Sequence, residues 1–463
     1  MSEPNSNRLI SLDVFRGLTI AGMVLVNNPG TSPVYWPLEH AEWNGLTPTD
    51  WIFPFFLFIV GVSIAISLGK YAGVTVTGEN PSGSDGVNNS RSIYTKIITR
   101  AVSIYLCGLA ISVIPFFQFQ STNSPDWLKM LTWLSFAASL LFILLRNFKI
   151  AGIFAGTAVL GIVVMNLAGY NVVPYDFGTM RILGVLQRIA ICYLAASLIF
   201  LHSDWKQQVY ISAALLLGYW FLITMIPVPG CEVTTMNDKA CNLAAYIDRM
   251  ILTESHIWRF GKVYDPEGLL STIPAIVTTI SGVLTGKWLL KSSPPYEGGV
   301  DAASADGAVL SHRLNKASGI LFFGTILFAL GLIWNSYFPM NKALWTSSYV
   351  LATTGIALLI FGCCYWLVDI KGYKKWAWPF VVLGANALAL FVFSGIVARM
   401  ISAFRVAYTP EGRGISLQRW IVDNIFLAIF PPINASLAFA ISFILFWLFL
   451  MWLLYRKRIY VKV

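Results

Sequence analysis

The sequence predicts an all-α polytopic membrane protein, a bundle of about 12 transmembrane helices (range 10–12) with both termini cytoplasmic. Three observations predict it. Hydrophobic residues make up 57% of the 463 positions and charged residues 12%, which excludes an ordinary soluble domain. Apolar runs of about 20 residues, enough to cross a ~30 Å hydrocarbon core, recur from end to end. Lysines and arginines gather in alternate connections, with Lys374, Lys375, Arg456, Lys457 and Arg458 among the set that marks the cytoplasmic side.

The runs, in order, are Leu9–Val26, Trp51–Leu68, Ile97–Ile114, Leu128–Leu145, Ile150–Leu167, Leu183–Leu201, Val209–Val228, Leu269–Leu290, Ala317–Trp334, Ser347–Val368, Trp378–Val397 and Ile433–Leu454. The two around residues 128–167 are the pair most suited to a re-entrant hairpin. The first run is not a cleavable signal, because Asp13 and Arg16 interrupt it and no small-residue cleavage site follows. It is expected to stay as a span. The spans lie too close together for a separate soluble domain, so residues 1–463 read as a single transmembrane domain. No internal repeat links the halves. The net charge of +10 fits basic cytoplasmic edges and calls for no nucleic acid.

Two connections, Lys70–Lys96 and Lys291–Lys316, are rich in Gly, Ser and other small or polar residues and read as flexible cytoplasmic loops. Two others, Pro229–Gly268 and Arg399–Pro432, carry aromatic and charged residues and suit an exterior vestibule. Cys107, Cys192, Cys363 and Cys364 fall in apolar runs and read as small buried hydrophobes. Cys231 and Cys241 share one exterior loop, where an oxidising environment permits a disulfide; two free thiols are the alternative.

Four histidines occur in the chain. His40 stands apart from the others because it lies at a membrane mouth, among Glu39, Glu42, Trp43, Asn44, Thr47, Thr49 and Asp50. An imidazole there suits a base or nucleophile. The competing reading is an interfacial histidine with no chemical task. Asn27, in VNNPG at the exterior end of the first run, is a donor for a developing oxyanion or else a helix C-cap. Asp50 looks like the N-cap of the second span, and Trp51 like its interfacial anchor.

Ionisable and amide groups inside spans are costly and therefore functional candidates. Asp13 and Arg16 lie three apart on one helix face. They either pair, or Arg16 holds an anion in a cytoplasmic cavity. Gln187 and Arg188 sit in the sixth run and Asn386 in the eleventh. Asp265 and Glu267 flank Pro266 before the eighth run, where helix capping is the plain alternative. Asn341, Lys342 and Trp345 precede the tenth. Metal ligands are not clustered, and GxSxG, Walker, GxGxxG and HExxH signatures are absent. The residues alone thus support a membrane enzyme or a transporter.

Several segments resemble the heparan-α-glucosaminide N-acetyltransferase family of transmembrane acetyltransferases. They are RLISLDVFRGL at Arg8–Leu18, Val26–Asn27, HAEWNGLTPTDWIFPFFLFIVG at His40–Gly61, RILGVLQRIA at Arg181–Ala190 and PVPGC at Pro227–Cys231. AAYIDRMIL at Ala244–Leu252, YDPEGLLSTIPAI at Tyr264–Ile276, MNKALWTSSYV at Met340–Val350 and VDIKG at Val368–Gly372 follow in the family's order. The resemblance implies transfer of acetyl from cytoplasmic acetyl-CoA, a co-substrate and not a resident cofactor, to the amine of a glucosamine-type sugar across the membrane. It carries the family's catalytic histidine onto His40 and its catalytic asparagine onto Asn27, and makes a Cys231–Cys241 disulfide more plausible.

The shared region begins at Arg8, so the luminal domain of the lysosomal enzyme is expected to be absent. A small amino sugar is then the expected acceptor, and a bacterial inner membrane, with the His40 loop periplasmic, the expected location. Arg16, Asp13, Arg100, Gln187, Arg188 and Asn386 are the expected acetyl-CoA contacts. Trp43, Asn44, Asp50, Asp265, Glu267, Asn341 and Trp345 are the expected sugar contacts. A homodimer is left open. The alternatives are an O-acetyltransferase acting on a polysaccharide or lipid hydroxyl, and a 12-helix sugar transporter.

Overall fold

The computed structural model describes residues 9–71, 86–290, 302–410 and 412–461. Apolar segments in lipid must satisfy every backbone N–H and C=O internally, and helices are how this sequence does it. The helices are α1 (Ile10–Asn27), α2 (Ile52–Leu68), α3 (Gly86–Val113), α4 (Asp126–Leu144), α5 (Phe148–Leu167), α6 (Val185–His202), α7 (Trp205–Met225) and α8 (Leu243–Leu252). They continue as α9 (Thr272–Leu290), α10 (Ala302–Asn335), α11 (Ser347–Cys364), α12 (Trp378–Ala385), α13 (Ala387–Ala403), α14 (Leu417–Ile421) and α15 (Pro432–Arg456). A short antiparallel ribbon of β1 (Arg405–Tyr408) and β2 (Gly414–Ser416) precedes α14.

Among the described residues, eleven helices are long and apolar enough to cross a membrane. The chain is a multi-pass membrane protein. α4 and α5, expected as the re-entrant pair, are separate helices of 19 and 20 residues. The bend falls instead in the run Trp378–Val397. It is broken into α12 and α13, which meet at 80° around Asn386. The amide of Asn386 explains the break: its Nδ2 donates to Ile459 O at 3.0 Å and its Oδ1 accepts from Val461 N at 2.8 Å. The expected cytoplasmic loops lie partly outside the described residues, as does Arg8. Where described, Gly86–Lys96 belongs to α3 and Ala302–Lys316 to α10.

The chain divides into two compact units. The first comprises Met1–Thr19, His40–Tyr105 and Ile182–Val381. Its centre is α2 packed on α9. A Cβ on Gly61 would meet Thr279 O at 1.9 Å, and one on Gly282 would meet Phe58 O at 2.0 Å. Both positions require glycine, and the two backbones touch. An aromatic group of Phe15, Phe55, Phe58 and Phe361 fills the adjoining core. The second unit comprises Ile20–Glu39, Leu106–Arg181 and Val382–Val463. In it α4 and α5 form a hairpin, with Ser139 Oγ donating to Ala151 O at 2.9 Å.

Candidate active site

The turn that enters α2 creates the site. Thr47 is the N-cap of a 3-10 turn, Pro48–Trp51, that leads into the helix, and Asp50 completes the capping box. The expectation that Asp50 is itself the N-cap is therefore corrected: Thr47 holds that position, because its backbone is extended and Pro48 follows it. Asp50 is buried. Its Oδ2 accepts from Ala41 N at 3.2 Å, Thr47 N at 3.1 Å and Thr47 Oγ1 at 2.9 Å. Its backbone carbonyl accepts from the Tyr349 hydroxyl at 2.6 Å.

Three donors fill Oδ2, which leaves Oδ1 for charged partners. His40 Nδ1 lies 2.7 Å from it and Lys342 Nζ 3.4 Å. An ionised carboxylate only accepts, so the network assigns the ring proton to Nδ1 and leaves Nε2 as the basic lone pair. The His40 side chain is 52% exposed, so the ring is within reach of an incoming molecule, while Asp50 beneath it is 1% exposed. Lys342 Nζ also stands 3.0 Å from Nδ1 and 3.4 Å from Nε2. Burial pushes the Lys342 ammonium below the usual lysine range, and the carboxylates of Asp50 and Glu267 push it back up.

Lys342 reaches this place through the MNKALW segment. Asn341 is fully buried; its Oδ1 accepts from Leu344 N at 2.9 Å and its Nδ2 donates to Asn44 Oδ1 at 3.1 Å. Gly45 N donates to Met340 O at 2.8 Å. These bonds lock the segment to the His40 loop. A third segment closes one side. Cys231 and Cys241 are joined as a disulfide, and Met236, within the loop they close, accepts from Trp43 Nε1 at 2.9 Å. Asn44 Nδ2 donates to Asn237 Oδ1 at 2.7 Å, and the Trp43 ring packs edge-on against Tyr264.

Behind this wall lies a buried charge cluster. Arg188, in α6, is fully buried. Its Nη2 donates to Gly268 O at 3.1 Å and to Ser271 Oγ, and its guanidinium lies 5.1 Å from the centroid of the Trp345 ring. Nε and Nη1 have no hydrogen-bond partner. Glu267, Asp265 and Asp248 surround the cation electrostatically. Asp265 Oδ1 accepts from Glu267 N at 2.9 Å, shaping the turn that ends four residues before α9 begins. Asp248 accepts from Leu269 N at 2.8 Å on Oδ1, while its Oδ2 has no hydrogen-bond partner. Burial pushes its carboxyl up to about 6.

The first unit thus brings His40, Asp50, Trp43, Asn44 and Asn341 together, with Arg188, Trp345, Asp265 and Glu267 around the buried cluster. Other expected residues lie elsewhere. Arg16 pairs with Asp13 at 3.2 Å and donates to Ser63 Oγ at 3.2 Å. Arg100 stacks on the Tyr193 ring at 5.2 Å. Gln187 is buried in the first turn of α6. Asn27 and Asn386 belong to the second unit. Asn27 is the exposed last residue of α1, and it is its neighbour Asn28 that bonds back to the helix, at Val24 O. Sequence reasoning names Lys342 without giving it a role and misses Tyr349 and Asp248. Each lies inside a segment that carried the resemblance, which was the available signal.

These features define a multi-pass membrane protein with a carboxylate-oriented imidazole beside a lysine. Residues 8–176 match the family model described as heparan-alpha-glucosaminide N-acetyltransferase, catalytic. The chain is 28% identical over 430 residues to the human protein named heparan-alpha-glucosaminide N-acetyltransferase, covering 83% of this chain and 52% of that one. To its mouse counterpart it is 26% identical over 432 residues, covering 84% and 53%. The chain is therefore similar to heparan-alpha-glucosaminide N-acetyltransferases over most of its length. It spans about half the length of these curated relatives.

Proposed function

We propose that the protein is an N-acetyltransferase that moves an acetyl group from acetyl-CoA to the amine of a glucosamine-type sugar on the other side of the membrane. One observation carries this reading: a half-exposed imidazole whose Nδ1 is held by a buried carboxylate at 2.7 Å. That is the arrangement of a general base with its orienting group.

In the direct route the amine attacks the thioester carbonyl, and its proton passes to His40 Nε2. The C–S bond then breaks, the amide forms, and CoA leaves as a thiol after taking up a proton. Asp50 fixes the ring and balances the imidazolium. Lys342 supplies positive charge beside the developing oxyanion. Asn27 keeps the oxyanion role that the resemblance gives it, and Asn27→Ala tests that separately. Arg16 and Arg100 are the proposed phosphate contacts of acetyl-CoA, with Asp13, Gln187, Arg188 and Asn386 as further proposed contacts. The reading places both termini in the cytoplasm of a bacterium and the His40 loop in the periplasm.

The test uses proteoliposomes with labelled acetyl-CoA on one side and glucosamine on the other. The expected product is a labelled amide stable to mild base. His40→Ala is expected to lower transfer by about 10²- to 10⁴-fold while acetyl-CoA still binds. Undiminished transfer in that variant would overturn the assignment. Single-turnover labelling without acceptor checks the route, because only an acetyl-histidine intermediate leaves labelled protein. A base-labile ester product would make it an O-acetyltransferase.

A further inference from the structure

A large cavity lies away from His40. It is a cavity of about 1360 Å³ in the first unit, walled by α7, α9, α10 and α11 and closed at one end by the C-terminus of α6. Its depth is lined mostly by aliphatic and aromatic side chains with a few hydroxyls, Ser212, Ser281, Thr285 and Thr354, and its ionisable groups collect at one end: His202, Asp204 and Lys287, beside Trp205 and Trp288. That end is where α6 and α9 finish and α7 starts, so it lies at one membrane face. Small-molecule sites run to about 300–1,000 Å³ and carry polar groups spread around the ligand. This cavity is larger, and its charge is one-sided, as an amphiphile with long hydrocarbon chains requires.

The charges at the rim select the head group. His202 is held by other partners: its Nδ1 donates to Leu198 O at 2.8 Å, and its Nε2 lies 2.9 Å from the Tyr94 hydroxyl. Lys287 Nζ lies 4.7 Å from the centroid of the Phe200 ring. Asp204 caps α7, accepting from Gln207 N at 2.8 Å through Oδ1, and acts electrostatically on Lys287. Beside His202 the rim presents one cation, Lys287, and one anion, Asp204, flanked by two tryptophans of the kind that settle at head-group level.

We infer that this cavity is a binding site for one diacyl phospholipid with a zwitterionic phosphoethanolamine head, its phosphate on Lys287, its ammonium on Asp204 and its chains in the apolar depth. The lipid fills the space between the largely lipid-facing α7 and α10 and the buried α9 and α11.

Native mass spectrometry of the full chain in detergent, loaded with phosphatidylethanolamine or phosphatidylglycerol, tests this. One phosphatidylethanolamine per chain is expected to survive activation that strips other lipid, with about fivefold preference over phosphatidylglycerol. Asp204→Asn, which preserves the helix cap, is expected to abolish the preference. Lys287→Met is expected to weaken retention of both lipids by about fivefold. Ala213→Trp fills the cavity from α7 and is expected to reduce retention of either lipid by about tenfold or more. Equal retention of the two head groups by the unmodified protein overturns the proposal. So does a preference that survives Asp204→Asn, retention untouched by Ala213→Trp in a folded protein, or displacement of the lipid by acetyl-CoA. Where Ala213→Trp does not fold, Asp204→Asn alone decides.

Discussion

Buried cations are treated differently in the two units. In the second unit they end on the backbone. Lys129 Nζ donates to Phe119 O at 3.1 Å and Thr122 O at 3.2 Å and pairs with Asp126 at 2.7 Å. Arg399 donates to Ile111 O. Such groups tie one piece of chain to another. Around the candidate site of the first unit, charges also face other side chains: Lys342 and His40 share one oxygen of Asp50, and Arg188, bonded to Gly268 O and Ser271, keeps two nitrogens without hydrogen bonds near three carboxylates. A network with spare capacity is costly to bury. Its cost is explained where chemistry uses it, whereas a backbone-satisfied cation is explained by folding alone.

That contrast breaks most sharply on two exchanges. Asp50→Asn removes the charge that balances an imidazolium but preserves the size of the side chain. The proposed mechanism predicts a fall of about 10²- to 10⁴-fold in acetyl transfer, read in the proteoliposome assay with acetyl-CoA binding as control. A fall no larger than that of a distant surface variant would place Asp50 among the purely structural groups. Lys129→Met should do the reverse. Removing the ammonium leaves two buried carbonyls without their donor, which costs about 1–3 kcal/mol, so thermal unfolding should come a few degrees earlier. Turnover per folded molecule should be unchanged.

The sequence disclosed these regions unequally. Spans were legible because bilayer thickness fixes their length, and α2, α9 and α15 begin and end within a few residues of the apolar runs. The break at Asn386 was not, since hydropathy averages over a single amide and cannot show that its partners are Ile459 and Val461. His40 was legible as a rare imidazole at a membrane mouth. Its dyad with Asp50, ten residues away, was hidden because Asp50 read as an ordinary helix cap, and the structure shows it acting in a capping box and as a charge partner together. Lys342, 302 residues along the chain, meets His40 only through tertiary packing. The family resemblance pointed to its segment and not to its role.

The smallest expected effect concerns Asp248, which sharpens the comparison by separating burial from chemistry. Its carboxyl is pushed from 3.8 up to about 6 in the folded protein, burial being the main cause. A raised carboxyl favours the protonated form in the native state. The unfolded chain gives up this proton near pH 4, whereas the folded chain holds it until about pH 6. Stability from this group is therefore greatest below pH 4, falls between pH 4 and 6, and stays at its lower level above. Asp248→Asn keeps an oxygen for Leu269 N and removes the ionisation. It should raise the unfolding temperature at pH 8, by up to about 3 kcal/mol in stability and less where losing a carboxylate leaves Arg188 more exposed to its own charge. The gain should shrink steadily from pH 6 and vanish by pH 4. Thermal melts of the two proteins across that range check it. A loss of stability at pH 8 that disappears in acid would instead show that Asp248 is ionised and paired in the fold, and would move it into the same class as Asp50.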